Sequence, residues 1–188
     1  MTTRLTVTAF VFVALIAGGC AHYSLVEPRT RTIADRYTVE PQIPWSAATD
    51  GPWEIWTVDG PTLGALQFLK GLEDDQPLFR GKDEAKRAKF RKGMTASEVA
   101  ELVVDSLAAV GAEKVVATGL RPEPFAGTDG FRFELQFQTK SGLEKQGFVV
   151  GAVAKERLYL IMYSGLADHY FSKHREDAER VIRSVRLK

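Results

Sequence analysis

The stretch FRFELQFQT, residues 131–139, alternates apolar and polar side chains without a break. Phe131, Phe133, Leu135 and Phe137 fall on one side, and Arg132, Glu134, Gln136 and Gln138 on the other. That period of two predicts a strand with one face on a core and one toward water. Lys140, Ser141 and Gly142 make the turn that follows. The next two runs, 147–154 and 157–163, meet across Lys155 and Glu156 and are apolar on both faces, with Leu158, Leu160 and Met162 set against Tyr159, Ile161 and Tyr163. Strands of this kind belong inside a sheet that is covered on both sides. The short turns force these strands, together with a β-type run at 113–118, into an antiparallel meander.

Helices are needed to cover such a sheet. Thr95, Ala96, Ser97 and Glu98 fit a capping box, in which the Thr95 hydroxyl and the Glu98 carboxylate satisfy free amides at a helix start. Val99, Leu102, Val103, Leu107 and Val110 then recur at helical spacing, and Gly111 is placed to end the helix. A last helix is predicted over about 167–185, with Tyr170, Phe171, His174, Ala178, Val181, Ile182 and Val185 along one stripe. Upstream, 37–40 and 53–58 read as strands, split by a loop containing Pro41, Pro44, Gly51 and Pro52; 64–70 is a further strand, weakened by Gly64 and Ala65. Residues 73–93 are polar, and 82–92 reads as either a short helix or an irregular loop. The fold class is α+β: an α/β/α sandwich with a mostly antiparallel sheet.

The chain has 188 residues and one cysteine, Cys20. Arg4 opens a short positive start, and 5–17 is largely apolar but too short to span a hydrocarbon core of ~30 Å. Ala17, Gly18, Gly19 and Cys20 together resemble the lipobox of bacterial lipoproteins, although Ala17 stands where leucine is usual. The resemblance implies cleavage before Cys20, diacylglyceryl transfer to its thiol and fatty acylation (palmitate) of the new amino group. More than one acyl chain is what stable anchoring requires. The alternative is an ordinary cleaved signal with an incidental cysteine. By the sorting pattern of Gram-negative bacteria, Ala21 favours the outer membrane, facing the periplasm, over the inner membrane. Residues 1–19 are then the signal peptide, 20–34 the lipidated cysteine and a solvated tether, and 35–188 one globular domain. With Cys20 acylated, no thiol is left for a disulfide or a metal.

Without Arg4 the chain carries 24 basic and 24 acidic residues, which argues against nucleic acid as a partner. The membrane is met through lipid, and an envelope protein is the expected partner.

The order from 131 to 187 is an aromatic strand, a turn, an apolar strand, a tight turn, a strand with Glu156, Arg157, Leu158 and Tyr159, and a helix ending at Ser184 and Val185. It resembles the PsbP-like fold, seen also in Mog-type proteins. The resemblance implies a domain that binds partners or assists assembly, and it transfers no site residue.

Trp45, Trp53 and Trp56 cluster within twelve residues; they read as an aromatic ligand or partner contact, or, preferred, as core. Trp53 and Trp56 are too close to share one strand face. Lys86 and Arg87 lead a basic segment, with Lys82, Lys89, Arg91 and Lys92, that either meets lipid phosphates or an acidic partner or is simply solvated. His169 and His174 are five residues apart, off each other's helical face, so no metal is expected. His174 reads as a half-buried packing residue and Asp168 as a first-turn acid. No nucleophile elbow or phosphate loop is present, so no catalytic residue and no cofactor is expected. The function this supports is a membrane-anchored envelope lipoprotein with a non-catalytic binding or assembly domain. The alternatives are an envelope hydrolase using His169, Asp168 or Glu134 beside the 73–93 loop, and a lipid or sugar carrier using the tryptophans.

Overall fold

A computed structural model describes residues 23–80 and 87–188. In chain order the strands before the first helix are β1 (Ser24–Val26), β2 (Arg31–Ile33), β3 (Tyr37–Val39), β4 (Trp45–Asp50), β5 (Trp53–Thr57) and β6 (Gly64–Leu69). Helix α1 (Ala96–Ala109) leads to β7 (Glu113–Pro122), β8 (Phe131–Gln138), β9 (Glu144–Ala154) and β10 (Arg157–Leu166). Two short helices, α2 (Tyr170–Lys173) and α3 (Arg175–Arg183), and β11 (Arg186–Leu187) complete the described chain.

Eight strands form one antiparallel sheet in the order β1-β4-β5-β6-β10-β9-β8-β7. The meander expected from the short turns is its β7–β10 half. The three remaining strands make a small sheet, β11-β3-β2. β10 shows why the sheet is central. Leu158, Leu160 and Met162 enter the core under α1, while Tyr159, Ile161 and Tyr163 enter the core under α3 and the small sheet. The architecture is the predicted α+β sandwich.

The capping box at α1 is formed: the Glu98 amide donates to Thr95 Oγ1 at 3.3 Å, and the Thr95 amide donates to Glu98 Oε2 at 2.7 Å. Gly111, at φ +96°, closes the helix; its amide donates to the Ala108 carbonyl and that of Ala112 donates to Leu107. Both bonds belong to a Schellman motif, which needs the left-handed residue that glycine supplies. Val110, predicted on the apolar stripe, is exposed instead, because the helix ends there.

Four expectations need correction. The tether over 20–34 does not extend that far: Ser24–Val26 pairs with β4, Arg31–Ile33 pairs with β3, and Val26 and Ile33 are buried. The loop read between 41 and 52 contains a full strand, β4. The described parts of the polar 73–93 segment, 73–80 and 87–93, pack on the sheet: the Phe90 amide donates to the Gln76 carbonyl, and Leu78 and Phe90 are buried in the α1-side core. The closing helix is two helices, broken at His174 (φ −118°, ψ 12°). Residues 1–19, Cys20 and the 82–86 part of the basic segment lie outside the described residues.

Candidate functional site

Helix α1 lies along β7, the free edge of the large sheet. Val99, Leu102, Val103 and Leu107 are buried, so the flank carrying Ala100, Glu101, Val104 and Asp105 faces β7 across a gap. β7 is irregular. Its pairing with β8 shifts register between Glu113 and Val116 and again between Thr118 and Arg121, and Lys114 and Gly119 take positive φ. Val115, Val116, Ala117, Thr118 and Leu120 of this edge strand all border the gap. The result is a groove of about 410 Å³ floored by Phe133 of β8. Val116 and Leu120 are exposed on its strand-side rim. Its lining is apolar apart from Ser97, Thr118, Glu101 and Asp105, and it contains no lysine or arginine. No ion pair engages Glu101 or Asp105 among the described residues.

The residues singled out from sequence sit elsewhere. Trp45, Trp53 and Trp56 are core, each 3% exposed or less, in line with the preferred packing reading. Trp53 and Trp56 do enter opposite faces of the sheet: Trp53 donates to the Leu78 carbonyl at 2.7 Å in the α1-side core, and Trp56 donates to Glu54 Oε1 at 2.9 Å in the other. Arg87 is half-buried and donates to the carbonyls of Phe79 and Arg80. Lys89 and Arg91 pair with Asp75, and Lys92 pairs with Glu156. Lys86 lies outside the described residues.

Asp168 and His169 are exposed on the turn before α2. His174 is drawn away from them. Its Nε2 lies 2.9 Å from Asp59 Oδ2 and its Nδ1 3.6 Å from Asp177 Oδ2, with its ring against Trp45. Lys173 donates to both Asp59 oxygens at 2.8 and 2.9 Å, and this bond above all holds the Asp59 carboxyl below its usual pKa. The cluster latches the α2–α3 corner to the turn after β5. Glu134 is paired through Oε1 with Arg132 (3.2 Å) and Arg121 (3.5 Å). Tyr163 donates to the carbonyls of Tyr170 and Phe171, and burial pushes its pKa up to about 12. Among the described residues, no three or more His, Cys, Asp or Glu side chains are grouped to hold a metal, and no helix is long and apolar enough to cross a membrane.

The groove was not legible from sequence. The signal available was Gly119 inside a strand-like run, which marks a bulge.

The solution structure of cyanobacterial PsbP (CyanoP) from Synechocystis sp. PCC 6803 matches 94% of this chain and 98% of its own, with a TM-score of 0.56 at 12% identity. The fold is PsbP-like. The likeness thus reaches well beyond the 131–187 segment that first suggested it. The crystal structure of LpqN, involved in cell envelope biogenesis of Mycobacterium tuberculosis, covers 92% of this chain and 87% of its own at 10% identity, but its TM-score of 0.38 is too low to argue from. No protein-family profile and no curated protein sequence matches the chain.

Proposed function

We propose that this PsbP-like domain is held at the cell envelope by a lipid on Cys20 and binds another envelope component without chemistry of its own. The observation that carries this reading is the apolar groove between α1 and β7, with Val116 and Leu120 exposed on its rim. Exposed apolar side chains beside a concave surface mark an interaction site. The hydrolase alternative finds no support in the same geometry: Asp168 and His169 are exposed on a turn, and Glu134 is ion-paired with Arg132 and Arg121. The lipobox resemblance at 17–20 supports the anchor, and Ala21 favours an outer-membrane lipoprotein facing the periplasm.

The test is made in cells with the full-length chain. Labelled fatty acid should be incorporated into the native protein and not into Cys20→Ser, which should fractionate as soluble. A photo-cross-linker at Val116 should give a discrete adduct. A well-expressed protein that carries no lipid, or that gives no adduct from the groove or any other exposed position, would overturn the reading.

A further inference from the structure

The groove has a chemical polarity that names its occupant. Helix α1 contains Glu98, Glu101 and Asp105 and no basic residue. Glu98 is used by the cap. Glu101 and Asp105 are one turn apart on the same row, a like-charge pair that works against the helix. They stand on one bank of an apolar groove whose lining includes no cation. A cationic, apolar occupant would satisfy both features at once.

The shape separates a chain segment from a compact ligand. Val116, Leu120 and, at the end of α1, Val110 are all exposed along this edge of the sheet. Ten residues of strand run roughly 33 Å. The bulges at Lys114 and Gly119 interrupt the free edge of β7, so an occupant is read through its side chains more than by ladder pairing.

Position separates protein from lipid. This step rests on the proposed anchor at Cys20. β1 begins four residues after Cys20, a reach of at most ~14 Å, so the β1 edge stays beside the bilayer. β7 is the opposite edge of the eight-stranded sheet, about 34 Å away at ordinary strand spacing. The groove thus lies at the sheet edge farthest from the anchored strand.

We infer that the α1–β7 groove docks an extended segment of a partner protein that carries apolar residues interleaved with lysine or arginine, at the sheet edge farthest from the anchored strand.

The inference is tested with the full-length protein in phosphatidylcholine nanodiscs. The probes are a peptide of alternating leucine and lysine, the same peptide with glutamate for lysine, and octylammonium. The Leu/Lys peptide should bind at least about tenfold more tightly than the Leu/Glu peptide, and the Glu101→Lys/Asp105→Lys variant should reverse the preference with an unchanged melting temperature. Val116→Ser/Leu120→Ser should weaken the Leu/Lys peptide by a similar factor. Equal binding of the two peptides, indifference to the charge reversal, or a groove that takes octylammonium in preference to the peptide would each overturn the inference. Cross-linking in cells from Val116 and from Val58, which is exposed outside the groove, separates it from the broader reading. An adduct from Val58 alone sinks the groove and keeps a binding domain; no adduct from these or any other exposed position sinks both.

Discussion

Arg132 of β8 grips Glu179 of α3 with a two-pronged contact, Nη1 to Oε2 at 3.1 Å and Nη2 to Oε1 at 2.7 Å, while its guanidinium lies 4.0 Å above the Phe148 ring. Arg132 is only 4% exposed. Burial alone would lower its pKa; the hydrogen bonds and charge of Glu179, with those of Glu134, outweigh that and raise it. The alternating strand therefore does not turn a wet face outward at this point, as its pattern predicted. The helix covers that face, and an ion pair fastens it there.

Removing one partner of such a pair leaves a buried charge uncompensated. Arg132→Met is expected to cost about 3 kcal/mol in urea unfolding, while Arg132→Met/Glu179→Met recovers most of the loss. Equal losses in the single and double variants would show that packing of the arginine stem, and not the pairing, matters.

The same strand marks the limit of what sequence discloses. Its period of two, and the capping box at Thr95 and Glu98, are local signals; both elements formed where predicted. What covers the polar face of a strand is a tertiary matter, and Arg132 carries no local sign of Glu179 forty-seven residues away. β1 and β2 are three residues each and are held by pairing with β4 and β3, so neither contains enough alternation to be seen. The helical stripe runs through His174 without interruption, and the break there goes with contacts to Asp59 from a different part of the chain. The groove is hidden for a similar reason: Val116 and Leu120 are exposed because β7 is an edge strand, and strand order is not written in β7.

The Asp59 cluster gives a prediction in pH. The Asp59 carboxyl is held below its usual pKa by Lys173 first, with burial opposing and His174 adding to the effect. A carboxylate depressed in the folded state contributes stability that is complete above its unfolded pKa of about 3.9 and is lost as pH falls through the folded value. Asp59→Asn should therefore flatten the fall in stability below about pH 4 relative to the parent, with the two curves parallel above about pH 5. Chemical denaturation at stepped pH measures this. Parallel curves throughout would mean that the Lys173 bond is not kept in solution.

Close approach in the sheet sets a further test. A Cβ on Gly147 of β9 would lie 2.6 Å from the Tyr163 carbonyl oxygen, whereas one on Gly93 meets nothing within 4 Å. Gly147 lies between β8 and β10, where neither neighbour can give way. Gly147→Ala should cost roughly 2–4 kcal/mol, and Gly93→Ala should change stability by no more than about 0.5 kcal/mol. Thermal unfolding followed by circular dichroism distinguishes the two.

The tryptophans supply the last test, because two of them pack against each other and differ in one hydrogen bond. Trp45 and Trp56 have ring centroids 6.3 Å apart in the same core, and both are almost wholly buried. The Trp56 indole donates to Glu54, a buried carboxylate also held by Arg31 at 3.2 Å. The Trp45 indole N–H is buried with no acceptor among the described residues. Phenylalanine at either position removes a similar apolar volume, so the packing losses should nearly cancel in the comparison. At 56 the change also strips a donor from a buried charge, which costs the desolvation of that group; at 45 it removes an unpaired donor and relieves one. Trp56→Phe should thus be less stable than Trp45→Phe by about 2 kcal/mol. Neither variant should alter binding of the Leu/Lys peptide, since neither ring reaches the groove. Equal destabilisation would mean that an acceptor meets the Trp45 indole in solution, and a loss of peptide binding would return the tryptophans to the list of contact residues.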